Sequence, residues 1–259
     1  MNPFRQLKRF LIYKLKKKVN IDTLLENFDK LSLDEIFTYF GSDKANTSKS
    51  GKASKTFDQK KVTGHGYSKY YEKHLNIFKN KNIKILEIGS YSGASAASFV
   101  KYFPQSKVYC LDINLTNFNI VSKNIKVFGL DVSKKGMVDN FLRKINISRN
   151  SNFFDIIIDD GSHKLSDMLK AINIFYKIVK PNGFYILEDY KFPNYHDHLN
   201  DCSEIKIDKF IQNIKTKKVF QSNILDKESV NYLINNTIEV YDYKGLLDHS
   251  DIVFLKKSN

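Results

Sequence analysis

Between Ile83 and Glu188 five short apolar runs alternate with longer stretches of mixed character, and that rhythm limits the fold more than any other feature. The runs are 83–88 (IKILEI), 107–111 (KVYCL), 125–129 (IKVFG), 154–159 (FDIIID) and 183–188 (GFYILE). They are too short for helices and nearly continuous in apolar character, as strands buried on both faces are. Helix-like stretches at 93–103, 134–145 and 165–179 separate most of them, and Pro181-Asn182-Gly183 reads as a tight turn feeding the fifth run. Further helices are expected near 203–215 and 227–235. The runs 237–241 (TIEVY) and 251–255 (DIVFL) are expected to pair antiparallel at the end of the sheet. The fold class is therefore α/β: a doubly wound, mostly parallel, seven-stranded Rossmann-like sheet with an antiparallel final strand, occupying 83–259.

Residues 1–82 have a different texture and are read as a helical N-terminal appendage. Residues 21–40 look helical, with Ser32 and Glu35 spaced as a capping box. From 41 to 64 large apolar residues almost vanish, so a long loop is expected there, of the kind that covers an active site. Helix resumes within 64–78. The net charge of +14 is uneven: residues 1–20 hold seven basic residues and no acid, leaving 14 − 7 = +7 for the rest. Phe4, Leu7, Leu11 and Leu15 fall at helical spacing, which gives a basic amphipathic helix. It has three readings: packing on its own domain, resting on anionic lipid, or touching nucleic acid. The two cysteines, Cys110 and Cys202, show no metal or disulfide spacing, and Cys110 lies inside an apolar run as a plain buried thiol. No run approaches the ~18–20 apolar residues of a membrane span and no signal-peptide core is evident. The expected location is the cytoplasm, at the inner face of the membrane if the N-terminal helix binds lipid.

In such a sheet the carboxyl ends of the strands share one rim, where ligands bind. The first run is followed by Gly89-Ser90-Tyr91-Ser92-Gly93, a Gly-x-x-x-Gly spacing that lacks the second glycine of a dinucleotide loop and so argues against a nicotinamide enzyme. The second run ends in Asp112, placed to accept ribose hydroxyls, and the third ends near Asp131. The fourth and fifth runs close in Asp159-Asp160-Gly161-Ser162-His163 and Glu188-Asp189-Tyr190. Neighbouring strand residues face opposite ways, but at a strand terminus the backbone turns and adjacent carboxylates can reach one cation. Such oxygen donors suit Mg²⁺, Mn²⁺ or Ca²⁺ better than zinc. Of the two aspartates, Asp159 is expected to face the cofactor or the sheet and Asp160 to be the ligand. An ordinary imidazole pKa of ~6.5 suits His163 to general-base work. The structural alternatives are helix capping by Asp159, Asp160, Ser162 or His163, and a basic partner for Glu188-Asp189. His196 and His198 follow the last acidic cluster as substrate-loop or solvated histidines.

EIGSYSGAS (87–95), LDIN (111–114) and LDV (130–132) resemble the motifs of class I S-adenosylmethionine-dependent methyltransferases, over about residues 83–190. The resemblance implies S-adenosyl-L-methionine as cofactor, with Gly89, Tyr91, Gly93 and Ser95 around its methionine part, Asp112 on the ribose, Asp131 near adenine, and Glu87 and Asp159 as further cofactor-binding residues. The acidic clusters are similar to those of metal-dependent sugar O-methyltransferases, of the macrocin and mycinamicin type with capsule and O-antigen relatives. That similarity implies Asp160, Glu188 and Asp189 as ligands of Mg²⁺ or Mn²⁺ and His163 as the base. Catechol methyltransferases carry a lysine where this chain has His163, a departure that favours the sugar branch. GSDK (41–44), HGY (65–67) and Tyr71 resemble the N-terminal signature of the sugar type, which adds Lys44, His65 and the cofactor-side Tyr67. The implied partner is a sugar or nucleotide-sugar substrate, such as a heptose, with a homo-oligomer also expected. A nucleic-acid methyltransferase is disfavoured, because no Asn/Asp-Pro-Pro-Tyr motif follows the fourth run and the charge lies outside the core. A catechol-like enzyme and a non-catalytic binding protein are the remaining alternatives.

Overall fold

The computed structural model describes residues 3–49 and 61–259. Seven strands form one sheet: β1 (Lys84–Ile88), β2 (Lys107–Asp112), β3 (Ile125–Gly129), β4 (Phe154–Asp159), β5 (Val179–Glu188), β6 (Thr237–Lys244) and β7 (Asp251–Lys257). Their spatial order is β6-β7-β5-β4-β1-β2-β3. The first five pair in parallel, and β7 lies antiparallel between β5 and β6. The expected seven-stranded α/β sheet with its antiparallel end is thus the observed one. Nine helices are described: α1 (Pro3–Leu15), α2 (Leu33–Phe40), α3 (Ser68–Leu75), α4 (Ala94–Tyr102), α5 (Lys135–Lys144), α6 (Leu165–Phe175), α7 (Phe192–Tyr195), α8 (Ile207–Lys215) and α9 (Lys227–Asn236).

Alternation along the strands feeds two separate cores. Leu86, Ile88, Tyr109, Leu111, Ile157, Tyr185 and Leu187 point to the side covered by α5, α6, α8 and α9. Ile85, Val108, Cys110, Ile156, Ile158 and Ile186 point to the other, covered by α2, α3 and α4. Cys110 is a buried free thiol, as its apolar run implied. Register fixes the rim: Ile88 lies opposite both Leu111 and Asp159, and Asp159 lies opposite Leu187. Gly89, Asp112, Asp160 and Glu188 therefore stand one step further at the same edge.

Several local expectations change. Helix over 21–40 narrows to α2, preceded by 3₁₀ turns at Ile21–Thr23 and Phe28–Lys30. The Asn20 side chain accepts from Asp22 N at 3.0 Å, a local bond that competes with helix. The capping box is formed: Ser32 N donates to Glu35 Oε2 at 2.7 Å and Glu35 N to Ser32 Oγ at 3.3 Å. The stretch 41–64 is not all loop, because Thr47–Lys49 pairs antiparallel with Lys61–Thr63; residues 50–60 of it lie outside the described residues. The fifth strand begins at Val179, before the expected turn. Its register passes from Phe154–Val179 to Ile156–Phe184, so Lys180–Gly183 is an insertion opposite the single residue Asp155. α1 rests on the body through Arg9, Tyr13 and Lys16, its polar side.

α3 carries a buried histidine into an aromatic nest. The His74 ring lies 4.2 Å from that of Tyr241 and 4.8 Å from that of Phe254, with Nε2 2.8 Å from the Tyr243 hydroxyl. Burial, helped by nearby Lys73, pushes its pKa down to about 4. The folded state holds the neutral ring, whereas the unfolded chain titrates near ~6.5. Stability from this site is complete above ~6.5 and is lost as pH falls towards 4. Urea midpoints should therefore drop between pH 7 and 5, and His74→Phe, which keeps the ring, should flatten that slope.

Candidate active site

The glycine turn after β1 exists because two strand ends crowd there. Gly89 has φ 86°, and a Cβ on it would lie 1.8 Å from the Asp160 carbonyl oxygen. Gly93 has φ 84° and lies against the Phe118 ring. Between them Tyr91 takes φ 42°, a rare conformation for a side-chain-bearing residue, and points its backbone N–H at Asp112 Oδ2, 2.8 Å away. Asn114 N donates to the other carboxylate oxygen at 2.6 Å. Burial raises the Asp112 carboxyl and these two donations oppose it.

A cleft of about 320 Å³ opens over this turn. Gly89, Tyr91, Asp112, Asp131, Asp159 and Asp160 all line it, with Ile113, Leu130 and Met168 as apolar wall. Such a mixture of apolar wall and few convergent polar groups is what a small-molecule site requires. Asp131 also caps its own turn, accepting from Ser133 N at 3.0 Å and Ser133 Oγ at 2.6 Å. Asp159 accepts from the Tyr185 hydroxyl at 3.0 Å, and burial pushes it up to about 7. Three further expected cofactor residues, Glu87, Gly93 and Ser95, are not among the residues lining this cleft. Ser95 donates to Glu87 Oε1, while Glu87 Oε2 is buried without a hydrogen-bond partner. Burial pushes the Glu87 carboxyl up to about 7.

Beyond Asp160 the rim becomes a cluster of charges. Lys44, 1% exposed, reaches in from the N-terminal segment and donates to Asp160 Oδ2 and to Glu188 Oε2, both at 2.6 Å. Burial works against its charge, but the two carboxylates outweigh it and hold the ammonium well above its ordinary pKa. Glu188 also accepts from the Tyr71 hydroxyl. Its neighbour Asp189 has φ 48°, so the chain turns there and both carboxylates stay at the rim. Asp189 accepts from the Tyr67 hydroxyl at 2.5 Å and sits 3.3 Å from His65 Nδ1, which is 2.7 Å from Ser250 Oγ. Burial opposes ionisation of Asp189, yet His65 and Tyr67 bring its pKa below the usual carboxylate value.

The structure brings Asp160, His163 and Asp189 together, with one ligand atom from each lying within 4.8 Å of the others. His163 Nε2 is 3.6 Å from Asp160 Oδ1, and its backbone takes φ 55°. Glu188 is turned onto Lys44 and Tyr71, beside that group. Tyr67 is placed on Asp189, on the charge-cluster side of the rim. Asp160 and Asp189, with the Glu188 carboxylate adjoining, are oxygen donors that fit a hard divalent cation, and the His163 imidazole stands beside them. Sequence reasoning had no route to Ser250, which arrives from the turn before β7, or to the Tyr185 bond. It also missed an aromatic shelf beside His163: Phe192 lies 5.0 Å from the His163 ring and 5.5 Å from His196, and His249 stacks on Tyr195 at 4.5 Å. His198 lies 5.9 Å from His196 at its margin.

No protein-family model matches the chain. Among curated proteins it is similar to mycinamicin VI 2''-O-methyltransferase of Micromonospora griseorubida, at 28% identity over 132 residues, covering 48% of this chain and 31% of that protein. It is also similar to L-olivosyl-oleandolide 3-O-methyltransferase of Streptomyces antibioticus, at 30% identity over 132 residues, 48% of this chain and 32% of that protein. The chain thus spans about a third of the length of these relatives. Among solved structures it resembles the MycE methyltransferase of the mycinamycin biosynthetic pathway, in complex with Mg, SAH and mycinamycin VI. The TM-score is 0.63 at 20% identity, over 89% of this chain and 54% of that one. The fold is that of the class I S-adenosylmethionine-dependent methyltransferases.

Two substitutions probe this geometry. Gly89→Ala forces a Cβ into the Asp160 carbonyl and should cost roughly 2–5 kcal/mol in chemical denaturation, through overpacking and backbone strain together. Lys44→Met leaves two buried carboxylates without their cation. A loss of about 3–5 kcal/mol is expected in the same assay at neutral pH.

Proposed function

We propose that this chain is a divalent-metal-dependent O-methyltransferase that moves a methyl group from S-adenosyl-L-methionine to a sugar hydroxyl. The observation that carries the reading is the double position of Asp160, which lines the small-molecule cleft and belongs to the acid–imidazole cluster. A donor seated in the cleft and an acceptor seated on the cluster would meet at that residue. The curated relatives named above, O-methyltransferases by name and one of them of an L-olivosyl compound, support the reaction class, and the Mg and SAH bound by the MycE enzyme support the cofactors.

In this reading Asp112 holds the ribose, with its carboxylate already oriented by Tyr91 N and Asn114 N. Asp131 and the wall of Leu130 and Met168 take the adenine end. Asp160, Glu188 and Asp189 would hold the cation, which would take over from Lys44 Nζ as the charge partner of Asp160 and Glu188. Bound there, it would lower the pKa of an acceptor hydroxyl and orient a vicinal diol. His163 takes the hydroxyl proton at Nε2 as the sugar oxygen bonds to the methyl carbon and the sulfonium C–S bond breaks. His163 Nε2 lies 3.6 Å from Asp160 Oδ1, which sets the ring beside the cation ligands. The aromatic shelf of Phe192, Tyr195, His196 and His249 offers flat apolar faces to a pyranose ring beside the base. We take the acceptor to be a nucleotide-linked sugar, a heptose among the candidates, or a sugar of a surface polysaccharide, and place the reaction in the cytoplasm.

Methyl transfer to a panel of nucleotide sugars with Mg²⁺ or Mn²⁺, read by product mass, tests the assignment. Excess chelator should abolish turnover, and full activity in chelator would remove the metal from the scheme. His163→Ala should lower kcat by about 10²–10⁴-fold while binding of S-adenosylhomocysteine, read by calorimetry, stays within a few-fold of the parent.

A further inference from the structure

α1 is an amphipathic helix mounted inside out. At 3.6 residues per turn, Arg9 and Tyr13 share one face, with Lys16 following just past the helix end, and Phe4, Leu7, Leu11 and Leu15 share the opposite one. The polar face is the one that meets the protein. Arg9 Nη1 donates to Ile113 O at 3.2 Å, Lys16 Nζ donates to Thr116 O and Asn117 O at 3.1 Å each, and the Tyr13 ring meets Phe118 edge-on at 6.2 Å. The apolar face looks outwards, with Leu7 55%, Leu11 50% and Leu15 86% exposed. Exposed Lys8 and Lys14 flank this stripe on either side.

We propose that this face docks the protein on an anionic lipid bilayer, with the leucines entering the acyl boundary and the lysines meeting headgroup phosphates. The combination is that of a helix lying in a membrane interface: an apolar stripe bordered by cations. Residues 1–20 hold no acid; Arg9, Lys16 and Lys18 are bound to backbone carbonyls, but Lys8, Lys14 and Lys17 stay exposed, so an anionic surface complements them, and two copies set face to face would bring like charges together. Nucleic acid would use the cations and leave the leucines in water. At 13 residues the helix lies along a membrane rather than across one. Ile113, which accepts the Arg9 bond, also lines the small-molecule cleft. The docked protein would therefore hold that cleft beside the lipid surface. This inference stands whether or not the methyltransferase reading holds.

The test is co-sedimentation of the full chain with vesicles of phosphatidylcholine alone and of phosphatidylcholine mixed with phosphatidylglycerol. Binding is expected only to the anionic vesicles. It should weaken at least about tenfold in Leu7→Ser/Leu11→Ser/Leu15→Ser and in Lys8→Glu/Lys14→Glu, with melting temperatures confirming that both variants fold. Absence of vesicle binding by the parent protein overturns the proposal, as does undiminished binding by the leucine variant. So does a leucine-dependent dimer seen by light scattering, or retention of nucleic acid, in place of vesicle binding.

Discussion

One buried ammonium joins the two halves of this molecule. Lys44 Nζ lies between Asp160 at the end of β4 and Glu188 at the end of β5, so a residue far upstream of the sheet becomes the counter-ion of its rim. Without it the rim would gather Asp160, Glu188 and Asp189 under low-dielectric cover with little to balance them. The surrounding bonds follow the same pattern: from the same N-terminal stretch, Tyr71 donates to Glu188 Oε1, and Tyr67 and His65 both meet Asp189 Oδ1. Residues 41–49 and 61–75 are thereby tied to the sheet by polar bonds at the rim and by the apolar face of α3 beneath it. Cover and site are one construction.

Backbone strain gathers in the same place. Tyr91, His163 and Asp189 all carry positive φ, a conformation that costs about 1–3 kcal/mol for each side-chain-bearing residue. Each lies just past a strand end and turns the chain so that a functional group stays at the rim. Crowding explains the adjoining glycine: Gly89 passes so close to the Asp160 carbonyl that no side chain fits. The neighbouring turns hold their polar groups in place from opposite directions, by donation to Asp112 on the cleft side and by donation to Asp189 on the cluster side.

The sheet was legible because its inner strands β1, β2, β4 and β7 are dense apolar runs, and burial on both faces leaves that mark in the residues themselves, whereas the edge strands β3 and β6 are only partly buried. The rim acids were legible for the same reason, as charges that break such runs at their carboxyl ends. The reach of Lys44 was hinted at by a short motif, but its contacts with Asp160 and Glu188 span 116 and 144 residues, and no local pattern encodes a distance of that kind. Pairing of Thr47–Lys49 with Lys61–Thr63 was hidden because both strands are polar and lack alternation. In α1 the periodicity was plain, yet periodicity is symmetric: it shows that two faces differ without showing which one meets the protein. The body takes the polar face because the carbonyls of Ile113, Thr116 and Asn117 need donors there.

The antiparallel strand at the end of the chain has a consequence in time. β6 reaches the sheet only through β7, and β7 also delivers the turn that carries His249 and Ser250 to the rim. On the ribosome the chain would emerge with β1 to β5 able to pair, since those contacts lie within one continuous stretch. One edge of β5 would stay open until β7 clears the exit tunnel. Assembly of the rim is thus deferred until β7 joins the sheet, and a nascent chain stalled short of Asp251 would expose that edge to its neighbours.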